Sequence, residues 1–435
     1  MRRTRKWGKI EFAHKMVRRA AELGVNLATN RTVVWKWEEG GQVPDAAAQQ
    51  VMASLFGIAP EDADPANWPY WLPVWDTKSV DAPWTPAGTV ETLADLVRSG
   101  HMDRRGFLTI TGATLTALAA NWAEAPAAFA SALDGDAVTD RMVTALEQRL
   151  DTLRSLDDEM GGARLLEQAR GDLALITGLL KNARYGEAAG SRLYSLAART
   201  SYLTGWMAYD SGLRSAGQEY YVSALRAART SGDNALGAFI LAEMGVHASD
   251  IGQDRERVKM TDTAVQKVPR TTPPGVLSYL ELHRAEALSR NGQHRRAGQS
   301  LSRAFALWEK HGSVALPDWM RWYGEHQLHS TEGKILFRAG DVNRSVDALA
   351  DSIARAVPRD RAVRSSRLAT ARLAGGDLDG ALDAANAGLT LLESKVTSAR
   401  AQERLEEFGK KLTPFRAEPR VKEFREHLRA LPSAA

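Results

Sequence analysis

Apolar positions along this chain recur at helical spacing. Phe12, Met16 and Val17 fit one face of a first helix that runs on to Gly24, where the left-handed conformation open to glycine ends it. Val34 and Trp37, three residues apart, face inward from a second helix. Thr29 or Asn30 can cap its start, and Glu38-Glu39-Gly40-Gly41 stops it. Pro44-Asp45 opens a third helix, with Val51, Leu55 and Phe56 on its buried face. From 137 to about 392 the pattern stays helical, interrupted by the loop signal Thr271-Thr272-Pro273-Pro274-Gly275. The charged tail 399–428 offers Leu405, Phe408, Phe415 and Phe424 to cover the last helices as a terminal cap. The expected fold is all-α.

Small residues impose a second, longer period. Seven-residue steps join Gly205 to Gly212, Gly245 to Gly252, Ala285 to Gly292, Gly333 to Gly340 and Ala369 to Gly376. Five residues after each second member stand Gly217, Arg257, Ala297, Ser345 and Ala381; twelve after it stand Ala224, Ala264, Ala304, Ser352 and Gly388. Small residues locked to a turn predict helical hairpins packed too closely for side chains to intervene. The registers advance by 40, 40, 48 and 36 residues, so the loops vary in length. An alanine-rich bundle has no reason to keep five registers.

This spacing resembles the tetratricopeptide repeat, over about 164–392. Arg257 departs from its small-residue rule. The resemblance implies a concave groove lined by the first helix of each hairpin. Its positions lie six and three residues before the small first-helix residue, and one and four after it. In this sequence they include Arg199, Tyr202, Trp206, Tyr209, Phe239, Val246, Tyr279, Glu286, Lys334 and Phe337. Aromatics beside Arg199 and Glu286 suit a peptide or protein ligand with apolar anchors. The alternative is that the aromatics pack against the Trp/Pro-rich stretch or the 107–122 helix.

The net charge of +4 is modest, but its distribution is not. Residues 1–20 hold eight Lys or Arg, among them Arg2, Arg3, Arg5 and Lys6, against the single acid Glu11. Such a block is an electrostatic footprint for phosphate. The stretch 24–58 that follows resembles the Xre-type helix-turn-helix of Cro and phage repressors. The likeness rests on Val34, Lys36, Trp37, Glu38, Gly40 and Pro44. About four extra residues precede the second helix, and Trp35 stands where a small polar residue is usual. The resemblance implies that Asn30, Arg31, Val33 and Lys36 face the major groove of duplex DNA. Arg and Asn are the side chains best able to pair twice with guanine and adenine edges.

Between 64 and 86, Trp68, Trp71, Trp75 and Trp84 alternate with five prolines, which exclude a regular helix and predict an extended strap. Residues 102–130 resemble a twin-arginine export signal: Arg104-Arg105, a mildly apolar run, then small residues. Such signals stand at an N-terminus, whereas this one follows a hundred residues that read as folded. Phe107, Ile110, Leu115, Leu118 and Trp122 also suit a buried helix. The domain reading is therefore 1–62 as the DNA-binding head, 63–136 as linker, and 137–435 as repeat array with cap.

The chain has no cysteine, so disulfides and thiolate metal sites are excluded. It has no phosphate-binding glycine loop ending in Lys-Ser/Thr, no nucleophile elbow and no HExxH. His326 and His329, near Glu325 and Glu332, share a helical face without reaching the pattern of a metal site. No enzyme activity, cofactor or metal is expected. Head and body together resemble actinomycete cytoplasmic regulators with an Xre-type head and a tetratricopeptide body, including NsdA-type regulators of sporulation and antibiotic production. That group implies a cytoplasmic homodimer, off the membrane, whose body receives a signal that alters operator binding. The rival class is an exported or tethered repeat scaffold for protein partners.

Overall fold

The computed structural model describes residues 7–38, 42–56, 65, 82–99, 132–250, 252–394 and 396–431. Within them lie eighteen α-helices, three short 3-10 turns and one isolated bridge between Ala137 and Arg184, with no named strand. The all-α expectation holds. Backbone contacts divide the chain into two compact units, residues 1–81 with 250–253, and residues 82–249 with 254–435.

The first unit is a three-helix core. α1 (Lys9–Glu22) buries Phe12, Ala13, Met16 and Ala20 and ends before Gly24, at φ 68°. Val17 does not share that face: at 41% exposure it points outward, because the buried stripe follows the steps 12, 13, 16, 20. α2 (Arg31–Glu38) is a short helix whose buried residue is Val34, with Trp37 packed partly under it. α3 (Ala46–Phe56) starts where the Asp45 carboxylate accepts the Ala48 amide at 2.7 Å, and it buries Val51, Met52, Ala53 and Phe56. Trp7, Phe12 and Phe56 stack with centroids 5.8–6.3 Å apart and close the core at one end.

The second unit begins with α4 (Pro86–Ser99), a helix inside the stretch assigned to the linker. It packs against α6 (Leu166–Asn182) and α8 (Arg214–Ser231). α5 (Asp140–Met160) is capped by Thr139, whose hydroxyl accepts the Met142 amide. The hairpins follow. α7 (Glu187–Asp210) pairs with α8, α9 (Asn234–Asp250) with α10 (Asp254–Lys267), and α11 (Pro274–Arg290) with α12 (His294–His311). α13 (Glu325–Arg338) pairs with α14 (Val342–Ala354), and α15 (Pro358–Ala374) with α16 (Leu378–Ser394).

The small-residue register is the geometry of these pairs. Gly212, Gly252, Gly292, Gly340 and Gly376 all sit in the inter-helix turns at φ between 72° and 85°, a conformation that side chains with a Cβ resist. A Cβ on Gly205 would stand 3.0 Å from the Tyr220 Cβ and 3.1 Å from the Gly217 carbonyl. One on Gly333 would stand 2.6 Å from the Leu349 Cγ. Ala224, Ala285, Ala297, Ala304, Ala369 and Ala381 are completely buried. Arg257, the departure from the rule, is also buried. Its stem crosses Gly245 and its guanidinium runs on to Ser249 (3.3 Å) and Glu286 (3.1 Å).

Two features lie beyond a plain array. The 48-residue step is filled by loop 312–324, which carries the 3-10 turn Asp318–Met320 and turns Trp319, Met320 and Tyr323 inward. The array also closes on itself. α15 packs on α5, where Arg359 pairs with Asp157 and with Asp158 (2.9 Å). α17 (Ala399–Lys411) packs on α7, where Ser398 and Arg400 both donate to the buried Asp210 at 3.0 Å. α18 (Pro419–Ala430) completes the cap. Leu405, Phe408 and Phe424 lie in its core, but Phe415 is 39% exposed and covers nothing there, because it lies in the turn between the two cap helices.

Candidate functional site

In the first unit, α2 is short enough that one buried residue anchors it, leaving Arg31, Thr32, Trp35 and Lys36 on the outside. Val33 is half-buried. Asn30 is engaged within its own turn, where its side-chain oxygen accepts the amides of Thr32 (2.9 Å) and Val33 (3.0 Å) and so caps the helix. A two-bond contact to adenine would use that same oxygen together with the side-chain nitrogen. Among the described residues up to 56 the unit holds Lys9, Lys15, Arg18, Arg19, Arg31 and Lys36 against Glu11, Glu22, Glu38 and Asp45. Several are spoken for: Lys9 lies 3.8 Å from Glu38, Arg19 is 2.6 Å from Glu22, and Lys15 lies over Trp7. Arg2, Arg3, Arg5 and Lys6 fall outside the described residues, as do Trp68, Trp71, Trp75 and the 102–130 stretch.

In the second unit, three of the groove positions, Tyr202, Phe239 and Tyr279, form a continuous interior row rather than an open surface. Tyr202 meets Phe239 at 4.8 Å and Phe239 meets Tyr279 at 5.1 Å, and all three are buried. Loop 312–324 lies on the last two: Trp319 is 4.9 Å from Phe239, and Trp322 and Tyr323 are 5.9 and 5.3 Å from Tyr279. The chain's own loop thus covers two of the aromatics read as ligand contacts, Phe239 and Tyr279. Tyr209 is buried against Trp206 and His247. Arg199 is buried beside Asp151. Trp206 is half-buried, with the guanidinium of Arg400 4.8 Å and that of Arg359 5.5 Å from its ring. Val246, Lys334 and Phe337 stay partly exposed, Phe337 packing against the apolar core that holds Leu349, Leu405 and Phe408. Of the strap, Trp84 lies outside this row, half exposed beneath Arg226.

Two buried carboxylates organise the interior. Glu243 accepts hydrogen bonds from Tyr202 (3.2 Å) and Tyr279, and lies 3.7 Å from the His283 Nε2. Burial pushes Glu243 up and both phenols well above their ordinary range, and it drives His283 down to about 3. Glu286 differs. Burial opposes its charge, but Lys334 (2.6 Å), Arg257 (3.1 Å) and Arg338 (3.7 Å) hold the carboxyl well below its usual range. His329 lies 3.2 Å from Glu332 and 3.9 Å from Glu325. Among the described residues no group of three or more His, Asp or Glu side chains is placed to hold a metal ion. Nor is any helix among them long and apolar enough to cross a membrane.

No family model and no curated protein matches the chain. Among solved structures it is similar to BtubC (BKLC) from P. vanneervenii, at 14% identity and a TM-score of 0.33, over 57% of this chain and 92% of that one. A likeness at that level carries no argument about function.

Proposed function

We propose that the chain is a DNA-binding regulator: a helical head that reads duplex DNA, and a repeat body that receives a peptide, small ligand or protein partner. The observation that supports it best is α2. It is propped by Val34 against α1 and α3, capped by Asn30, and carries Arg31 and Lys36 outward. A short helix held in this way can enter a major groove, and two cations on its face suit guanine edges or phosphates. The basic block at 1–6 adds sequence-independent attraction. The resemblance to actinomycete regulators extends this reading to a cytoplasmic homodimer controlling differentiation or secondary metabolism.

A band shift with genomic fragments at several salt concentrations tests it. Wild type should bind with an affinity that falls steeply with salt. Replacing Arg31 and Lys36 with Ala should lower the specific-over-random ratio, by about 1–3 kcal/mol for each lost two-bond base contact. Neutralising Arg2, Arg3 and Arg5 should weaken all sequences alike and flatten the salt slope. Absence of salt-sensitive DNA binding by the wild type would sink the reading.

A further inference from the structure

The array closes along a seam of charged and polar groups. Among the described residues, the buried apolar side chains of the body gather into one cluster running from Leu93 to Leu328 and a separate one running from Leu349 to Phe424. Across the seam between them, Arg359 of α15 reaches Asp157 and Asp158 of α5. Ser398 and Arg400 reach Asp210 of α7, and the Thr397 amide reaches the Met160 carbonyl. Apolar contacts are indifferent to protonation, whereas a buried ion pair strengthens or weakens with it.

At the centre of the seam three carboxylates share one guanidinium. Arg359 is buried; its Nη1 bonds Asp157, its Nη2 lies 2.9 Å from Asp158, and its Nε lies 3.5 Å from Asp360. Arg364, 3.2 Å from Asp360, relieves that carboxylate alone. Arg154, a turn earlier on α5, acts on Asp158 from farther off, and its own hydrogen bond goes to the Trp319 carbonyl. Arg400 with Asp210 is a balanced pair, and its guanidinium meets that of Arg359 on the Trp206 ring, at 4.8 and 5.5 Å from the centroid. Asp157 is the least compensated member. It is 1% exposed, and its Oδ1 has no hydrogen-bond partner among the described residues. Carboxylates crowded onto one buried cation cannot all ionise cheaply, so one of them keeps its proton. Burial, with Asp210 and Asp158 adding to it against Arg359, pushes Asp157 up to about 7. Burial opposes the charge of Asp360 too, but Arg359 and Arg364 hold that carboxyl well below its ordinary range.

We propose that this seam is a proton-operated clasp: α5 and α7 stay on α15 and α17 while Asp157 holds a proton, and part more readily once it is lost. The closed body keeps that proton up to about 7, whereas an Asp157 opened to water releases it near an ordinary 3.8. Closure therefore weakens as the pH rises from 3.8 through 7, and levels off above. Asp158, also raised by burial, works in the same sense. His326 of α13, which burial keeps low beside Arg364 and Asp360, works in the opposite sense below 6.5. Tyr221 of α8, a buried phenol near Asp157, stays neutral throughout this range. Parting frees Trp206 from the two guanidiniums that lie on it. The clasp belongs to the body alone and does not depend on DNA binding by the head, so a failed band shift leaves it standing.

Native-state amide exchange on the full-length protein, corrected for the intrinsic rate at each pH, tests it. Between about pH 5.5 and about pH 8, protection at the start of α17 and the end of α5 should fall about tenfold to thirtyfold, while the hairpin α11 and α12 changes by less than about threefold. Asp157→Asn keeps the shape and fixes the neutral form. Its seam should lose most of this pH dependence and, at about pH 8, be roughly tenfold better protected than wild type. Asp158→Asn removes one of the three competing acids and should shift protection at about pH 8 the same way, so it serves if the first variant does not fold. Asp379→Asn, in an exposed pair with Arg420, should follow wild type. An ordinary structural ion pair predicts the reverse for Asp157→Asn, weaker protection at every pH, and that result overturns the proposal. So does a wild-type seam whose protection does not change with pH, or changes only in step with α11 and α12, which marks global unfolding rather than a clasp.

Discussion

Glu286 shows how one side chain can resolve a break in a repeat pattern. Arg257 occupies a position where the other hairpins keep a small residue, and it fits because its head reaches Glu286 across the neighbouring helix. Lys334 and Arg338 converge on the same carboxylate. Glu286→Gln takes the shared carboxylate from the buried Arg257 and from the partly buried Lys334 and Arg338, and should cost about 3–5 kcal/mol of unfolding free energy in urea. A loss below 1 kcal/mol would mean that the cations find water instead. His283 gives a separate, pH-dependent expectation. Its folded value is about 3 against an ordinary 6.5, so the unfolded chain takes up a proton that the folded chain refuses. Stability from this residue is therefore lost progressively as the pH falls from 6.5 towards 3. Glu243, raised by burial, works in the opposite direction, so the comparison must be between variants. His283→Asn should flatten the acid limb by about 2–4 kcal/mol relative to wild type. Parallel curves for the two proteins would refute it.

Among the elements, the close helix pairs make the sharpest claim. Gly333→Ala drives a methyl into Leu349, and should cost about 1–3 kcal/mol through forced repacking. Gly298, exposed in the middle of α12 with nothing within 4 Å of a Cβ, should instead gain about 0.5–1 kcal/mol on replacement by Ala. Equal effects at the two sites would undo the packing argument. The hairpins were legible in the sequence because a turn glycine and its small partners are local constraints that recur at fixed offsets. Val34, Val51 and Phe56 were legible for the same reason, each facing a core across a short span. Loop 312–324 was not. Its partners Phe239 and Tyr279 lie about 80 and 40 residues upstream, and no local pattern distinguishes a tryptophan that fills a groove from one that spaces two helices.

At the scale of the repeat body, closure distinguishes this array from an open solenoid, in which each repeat touches only its neighbours. Asp210 ends α7, yet its carboxylate is held by Ser398 and Arg400, nearly two hundred residues on. The Ser398 hydroxyl also accepts the Ala401 amide, so the same contact caps α17. Beside it the Thr397 amide donates to the Met160 carbonyl at 2.9 Å, joining the end of α5 to the same stretch of chain. Removing one partner from a buried pair costs far more than removing an exposed pair such as Arg420 with Asp379. Asp210→Ala should therefore cost about 3–5 kcal/mol, and Asp379→Ala less than about 1 kcal/mol. Native-state hydrogen exchange separates closure from ordinary local damage. In a closed body, Asp210→Ala should deprotect amides at the start of α17 and the end of α5 along with the end of α7, while the hairpin α11 and α12 keeps its protection. In an open solenoid the loss would stay within α7, α8 and their sequence neighbours, and that pattern would show that the closing contacts hold nothing together.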